Sequence, residues 1–524
     1  MPRNSHIDVR RRIAPLAFVA LASVALWGCN GGGDDGSPDD GLAVAKASCG
    51  SNDKPEPDLQ GQVSAATRAA GFKGYSCNLQ LIGQSRGDGA SWQHAFFQDK
   101  AGHRCSYYDT ASATVNRSHL GVVTIDATNP ANPTPTAYLE TTAMLDPWES
   151  LKVNERRQML GGVNALNGNG GPEIDLYDIS GDCRFPQLLT GASVGTGSNN
   201  WAPDEFKAAV RGHEGSFAPD GLTYYAGNLG AGYIYPIDIT NPTRPKMLTQ
   251  YFTAPGRVHG LNISDDGNRA YVAIRGAGAA NAERTAGSPP NNGLLILDTS
   301  EVQQRKANPQ LKPVSVLVWD DGGGAQHTIN VTIQGKPYII HADEAGSGGN
   351  SAAGWAAACA AGLPAWQFAR IIDVTDETKP RVVSKLMLEA YDPKNCAKVL
   401  PDLNGLSSFT YGAHYCSVDN RLNATTLACG YFESGVRVFD IRNPEMVREI
   451  AYYNPASVTT PSPGSQNNRN TAEGRPDHCS AQVRLDAAAG TLQTTCQDNG
   501  FLSLRFTNGV WPFPESTTPP GLQN

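Results

Sequence analysis

Six times between Val122 and Asp440 a short run of β-branched and aromatic residues stops at an aspartate. The runs are Val122-Val123-Thr124-Ile125-Asp126, Ile174-Asp175-Leu176-Tyr177-Asp178, Ile234-Tyr235-Pro236-Ile237-Asp238, Leu294-Leu295-Ile296-Leu297-Asp298, Arg370-Ile371-Ile372-Asp373 and Val436-Arg437-Val438-Phe439-Asp440. A seventh, Phe501-Leu502-Ser503-Leu504-Arg505, keeps the pattern with Arg505 in the last place. An aspartate at a strand end caps the turn that follows with its own carboxylate, and Asn129-Pro130, Asn241-Pro242 and Asn443-Pro444 supply the turn residues just beyond. The whole unit is legible from Val258 to Ser300: Val-His-Gly-Leu-Asn-Ile-Ser, a turn at Asp265-Asp266-Gly267-Asn268, Arg-Ala-Tyr-Val-Ala-Ile, a loop, then the run that ends at Asp298. Val314 to Trp319 supplies a fourth strand.

A four-stranded sheet cannot bury both faces alone, so repeated copies must stack. Radial stacking of such sheets protects their edges by closing a ring. The expected fold is therefore all-β, a seven-bladed β-propeller of four-stranded antiparallel blades spanning residues 77–512. The last copy lacks a fourth strand of its own, and Asn78 to Gly83 reads as an orphan strand near the other end. The two are expected to pair and close the ring. On these third-strand runs, Leu294 to Asp298 and Arg370 to Val374 above all, the chain resembles the LVIVD-repeat family of bacterial β-propellers. That resemblance implies the fold and no agreed activity.

Ahead of the repeats, Arg3, Arg10, Arg11 and Arg12 precede an apolar run from Ile13 to Trp27, the charge-then-hydrophobic order of an export signal. Leu26-Trp27-Gly28-Cys29 looks like a bacterial lipobox, which makes residues 1–28 a signal peptide and Cys29 the lipidated residue. In lipoprotein sorting, as the resemblance to a lipobox implies it, Asn30 rather than aspartate after the cysteine favours the outer membrane. Residues 29–76 open on a Gly-rich, acidic stretch and are expected to be a flexible tether, and residues 513–524 a Pro-rich tail. The expected location is the cell envelope, lipid-anchored and facing the periplasm or the exterior. The whole chain carries −8; Arg3, Arg10, Arg11 and Arg12 against Asp8 give the signal net +3, so the remainder carries −11. An acidic body of this kind argues against nucleic acid as a partner.

Apart from Cys29, ten of the eleven cysteines remain, an even number in an exported chain, so disulfides are expected. Cys416 with Cys429, and Cys479 with Cys496, fall on neighbouring strands of blades six and seven; Cys359 and Cys396 share the long loops around blade five. Cys49, Cys77, Cys105 and Cys183 are left unordered. No Cys-x-x-Cys, nucleophile elbow, Walker loop, His-Glu-x-x-His or EF-hand loop is present.

The recurring histidines carry the chemical signal. His213, His259, His327 and His414 each precede or open an innermost strand, with His94 and His478 at similar places and Glu149 in that position in blade two. Innermost strands begin at one mouth of the channel, so a ring of imidazoles with a carboxylate is expected there. His119, His341, Asp343 and Glu344 reach the same face, as do Trp92, Trp148, Trp201, Trp355 and Trp366. Imidazole suits copper, zinc, iron and nickel. Two functions stay open. One is a binding or scaffolding protein that takes a protein or small-molecule ligand on the loop-rich mouth face. The other is a metal-dependent propeller enzyme of the copper type, with copper or zinc held by the histidine ring.

Overall fold

The computed structural model describes residues 42–110, 118–165, 174–190, 212–249, 252–276, 292–347, 349, 351–403, 409–458 and 474–522. The expected signal peptide and Cys29 lie outside them. Seven antiparallel sheets follow one another around a central channel. Blade one is His94–Gln98, Arg104–Asp109, Val122–Asp126 and Thr134–Leu139; blade two is Lys152–Asn154, Met159–Val163, Ile174–Asp178 and Gln187–Leu188. Blade three is Glu214–Phe217, Thr223–Asn228 and Tyr233–Asp238, with Lys246–Met247 and Phe252–Thr253 both on its outer edge. Blade four is Arg257–Ile263, Arg269–Arg275, Asn292–Asp298 and Lys312–Trp319; blade five is Gly323–Ile333, Lys336–Ala345, Ala369–Asp373 and Arg381–Lys385. Blade six is Ala413–Val418, Thr426–Tyr431, Val436–Asp440 and Arg448–Asn454.

Blade seven takes Arg484–Asp486, Thr491–Cys496 and Gly500–Phe506 from the end of the chain and Leu79–Ser85 from its beginning. Leu79 pairs with Phe506 and Ser85 with Phe501, so the expected closing strand is in place. The register shifts between Leu81 and Gly83, where the strand passes blade one closely enough that a Cβ on Gly83 would stand 2.1 Å from the Pro130 carbonyl oxygen.

The aspartates that end the third strands act as the sequence implies. Asp126 accepts from the Thr128 amide at 2.9 Å, Asp178 from Ser180 at 2.8 Å and Asp238 from Thr240 at 2.9 Å. Asp298 accepts from Ser300 at 2.8 Å, Asp373 from Thr375 at 2.8 Å and Asp440 from Arg442 at 3.1 Å. Each satisfies a backbone donor two residues ahead and starts the turn into the outer strand.

Five disulfides form. Cys416–Cys429, Cys479–Cys496 and Cys359–Cys396 join as expected, and the four unordered cysteines pair as Cys49–Cys77 and Cys105–Cys183. The first of these corrects the reading of residues 29–76 as a tether throughout. From Leu42 onward this stretch lies on the body: the Val44 amide donates to the Met387 carbonyl, Ala65–Ala69 forms a short helix, and Tyr75–Cys77 adds a fifth strand to blade six. Glu56 and Glu449 enclose the fully buried guanidinium of Arg437 at 2.8 and 3.0 Å. Composition does not reveal this, because a disulfide, a buried ion pair, side-chain hydrogen bonds and scattered apolar contacts at Val44, Val63 and Phe72 order the stretch rather than a periodic apolar pattern.

The C-terminal residues are likewise placed. Trp511 is buried against Phe506, Thr517 accepts from Asn420 Nδ2 at 2.9 Å, and the Arg421 amide donates to the Leu522 carbonyl at 2.6 Å. Pro520, Gly521 and Leu522 thereby wall one end of a channel cavity of about 590 Å³.

Gly83→Val tests the closure. The added side chain has to push back blade one, so the variant should lose about 1–3 kcal/mol of stability in denaturant unfolding, whereas Gln80→Val, at an exposed position of the same strand, should change it little. Equal stability of the two variants would contradict the closing role of this strand.

Candidate metal centre in the propeller channel

The innermost strands of blades four, five and six each carry a register shift at their first residues, between Val258 and Leu261, Ala325 and His327, and Ala413 and Cys416. A bulge re-aims a side chain that regular pleating would place elsewhere. In blades four and six the re-aimed residues are His259 and His414, both buried. In blade five the equivalent residue is Gln326, and His327 falls one place later. Its ring therefore leaves the group: Nδ1 faces the Gln326 side chain, Nε2 accepts from the Cys416 amide at 3.2 Å, and the ring packs 4.7 Å from Tyr415. Burial holds His327 well below the usual histidine range, as suits a ring whose Nε2 accepts from an amide.

His213 precedes Glu214–Phe217, tied by its amide to the Gly227 carbonyl at 2.7 Å. Glu149 precedes Lys152–Asn154 and forms a parallel bridge to Glu214. Glu344 comes from the end of Lys336–Ala345, the second strand of blade five.

These five side chains converge. His213 Nε2 lies 3.1 Å from His259 Nε2 and 3.1 Å from Glu149 Oε2, and His259 Nε2 lies 3.5 Å from the same oxygen. Glu149 Oε1 lies 2.9 Å from His414 Nε2, and Glu344 spans the same gap with Oε1 3.4 Å from His259 Nε2 and Oε2 3.3 Å from His414 Nε2. Two donor sets result, Glu149 with His213 and His259, and Glu149 with Glu344 and His414, each with its atoms within 4.8 Å of one another. Donors about 2.0–2.2 Å from a common ion and about 90–110° apart stand about 3–3.5 Å from one another, and these edges match. Glu149 Oε2 and His414 Nε2 are buried without hydrogen-bond partners, so the approach of His414 to Glu149 is not a well-aligned hydrogen bond. His414 Nδ1 faces the Ser480 carbonyl at 3.0 Å, which puts its proton on that nitrogen and leaves Nε2 as the donor atom.

The set fits a borderline divalent ion held by imidazole and carboxylate. All ten described cysteines are in disulfides and supply no thiolate. Without an ion, the two carboxylates draw protons onto the rings. Burial alone would lower His259 and His414, but Glu149 and Glu344 raise them to about 9 and about 10. Conversely, burial would raise Glu149, and His259, His414 and His213 together bring it below the usual carboxylate range. Burial also opposes ionisation of Glu344, but Arg275 and His259 keep it low.

Of the residues singled out in the sequence, Glu149, His213, His259 and His414 meet here, and His94, His327 and His478 do not. His94 Nδ1 faces the Gln482 carbonyl at 3.0 Å, and burial lowers its pKa to about 4. His478 lies 3.4 Å from Glu433. Glu344 joins the converging group; the sequence places it at this face among several polar residues, and nothing in its spacing marks it as a member. Trp92 and Trp148 do cap the centre, with ring centres 5.5 Å from His414 and 6.1 Å from His213, and Phe409 and Phe432 pack on Trp92 at 6.1 and 5.6 Å. Trp148 and Phe409 hold left-handed backbone conformations with φ of 51° and 71°, a strain that side-chain-bearing residues adopt only where the surroundings enforce it. Trp355 and Trp366 instead pack together beside Tyr411, and Trp201 lies outside the described residues.

No protein-family model matches this chain, and no curated protein matches it in sequence. Among solved structures, that of a Bacteroides uniformis protein provisionally named a 6-phosphogluconolactonase aligns at 12% identity with a TM-score of 0.49, covering 79% of this chain and 95% of the other. A Lactobacillus plantarum protein aligns at 12% identity with a TM-score of 0.45, covering 75% and 88%. The class, a seven-bladed β-propeller, rests on the strand order of the chain itself.

The raised pKa values of His259 and His414 give stability that is complete below about pH 6.5 and is lost as pH rises through about 9 and 10. Chelator-treated protein should therefore lose thermal stability across that window. Glu149→Gln removes the charge that faces both rings and should flatten the slope; the same slope in both proteins would contradict this electrostatic account.

Proposed function

We propose that this chain is a metal-dependent propeller enzyme, with a divalent transition ion, zinc or copper(II), held in the channel by Glu149 with His213 and His259 or by Glu149 with Glu344 and His414. The observation that carries the reading is the approach of three Nε2 atoms and two carboxylates at 2.9–3.5 Å. One divalent ion matches the charge of the two protons that the imidazoles otherwise hold. When bound, it supplies Lewis-acid polarisation and, if copper, electron transfer to a small molecule beside it. The side chains do the rest. Trp92, Trp148, Phe409 and Phe432 exclude water from one side. Lys152, Glu214, His327 and Gln482, none of them a donor to the ion, line the channel cavity of about 590 Å³, which is room for a small polar substrate.

The envelope setting belongs to the same proposal: export, lipidation at Cys29 and attachment to the outer membrane, in a protein of the LVIVD-repeat type. Five disulfides suit an oxidising compartment. The scaffolding alternative leaves the buried group of Glu149, Glu344 and three imidazoles without a role.

Elemental analysis of protein purified from its native envelope tests the reading. One zinc or copper per chain is expected, falling below about a tenth in His259→Ala and His414→Ala while the fold persists. Folded protein that carries no metal and takes up neither ion would overturn it and favour the scaffold. Cys29→Ser should release the protein from the membrane fraction; unchanged membrane attachment would contradict the lipid anchor.

A further inference from the structure

We propose that Glu214 is the positioning residue of this centre, accepting the Nδ1 proton of His259 and so aiming that ring's Nε2 at the ion; the inference rests on the metal reading above. His259 Nδ1 and Glu214 Oε2 face one another at 3.7 Å. Both atoms are buried and lie beyond hydrogen-bond length from any partner, while the Tyr415 hydroxyl also faces the Glu214 carboxylate. Leaving a buried donor and a buried acceptor unmet is costly, and each is the complement of the other. Closing the pair to the length of a charge-assisted bond takes a movement of about 0.9 Å.

The surroundings hold Glu214 for this role. Its other oxygen, Oε1, is 3.3 Å from Lys152 Nζ, and its backbone is bridged to Glu149. Gly260 makes the space: a Cβ there would stand 2.0 Å from Glu214 Oε2 and 2.5 Å from the Gln326 carbonyl oxygen. Metal-ligating histidines characteristically give their second ring proton to a carboxylate or carbonyl, which fixes the tautomer and strengthens the donor. His414 uses the Ser480 carbonyl. Glu214 gives His259 the carboxylate version, and Lys152 connects that carboxylate to the wall of the cavity.

Chelator-stripped mature protein titrated with Co²⁺ provides the test, read by affinity in competition with a chelator and by the visible ligand-field bands. Glu214→Leu should weaken Co²⁺ binding about 10–100-fold and shift the bands. Glu214→Gln keeps the shape and one acceptor oxygen, and should lose less than about tenfold while still shifting them. Affinity within about twofold of wild type together with unchanged bands in both variants would overturn the inference. Should Glu214→Leu not fold, the bands and affinity of Glu214→Gln decide by the same criterion. Failure of the metal reading looks different: wild type would bind no Co²⁺, or His259→Ala would bind it as well as wild type does, and the positioning role would fall with it.

Discussion

Everything at the channel depends on the pairing of Leu79–Ser85 with Gly500–Phe506. Until those strands meet, blades one and seven have free flanks and the innermost strands share no axis. Once they meet, the starts of those strands are held around one point, although the residues they carry are as far apart in sequence as Glu149 and His414. The segment before the closing strand reinforces it. Cys49–Cys77 closes residues 49–77 into a loop, and the pairing of Tyr75–Cys77 together with the Glu56–Arg437–Glu449 group fastens it to blade six, so the closing strand leaves from a fixed position. Breaking one partner of such a buried ion pair typically costs about 3–5 kcal/mol, which makes the charged group specific for one arrangement of this segment.

Inside the ring, burial and charge act against one another. Glu149 and Glu344 are both withdrawn from water, which disfavours ionised carboxylates unless positive charge is supplied beside them. Arg275 supplies part of it to Glu344, and protonated His259 and His414 supply the rest in the absence of an ion. A divalent cation meets the same demand with two charges at a single point, and it uses the Nε2 lone pairs that protonation would block. The same geometry is therefore a proton trap without metal and a ligand set with it. The bulges at His259 and His414 are the backbone feature that makes this possible, because each departs from regular pleating where an imidazole has to reach the axis.

Much of the fold was legible because each repeat carries its own punctuation. Asp126, Asp178, Asp238, Asp298, Asp373 and Asp440 mark the same turn in six blades, and the turn hydrogen bond is local enough to be read from neighbouring residues. The closing strand was legible by a different logic, as one strand left over at one end and one missing at the other. The site was legible only in part. That histidines gather at the starts of innermost strands follows from the repeat, but which of them face the axis depends on the phase of the bulge. Val258-His259-Gly260-Leu261 and Ala413-His414-Tyr415-Cys416 share a phase, whereas Ala325-Gln326-His327-Thr328 puts glutamine in the inward place. A one-residue slip of this kind exchanges the faces of a strand, and no composition or spacing rule reveals it. Glu344 escaped for a related reason: it arrives on a second strand and completes the group only through contacts across the channel. Residues 42–76 read as a tether because their order comes from ties to partners distant in sequence, such as Glu56 to Arg437 and Gln62 to Asp402, and from isolated apolar residues such as Val63 and Phe72 that make no periodic pattern.

X-ray absorption at the edge of whichever metal accompanies the protein from its native envelope examines the central claim most directly. The account predicts a shell of nitrogen and oxygen neighbours at about 2.0–2.2 Å, with the outer-shell pattern of two or three imidazoles and no sulfur at about 2.3 Å. A sulfur shell, a metal surrounded by water alone, or no metal edge above background would contradict it.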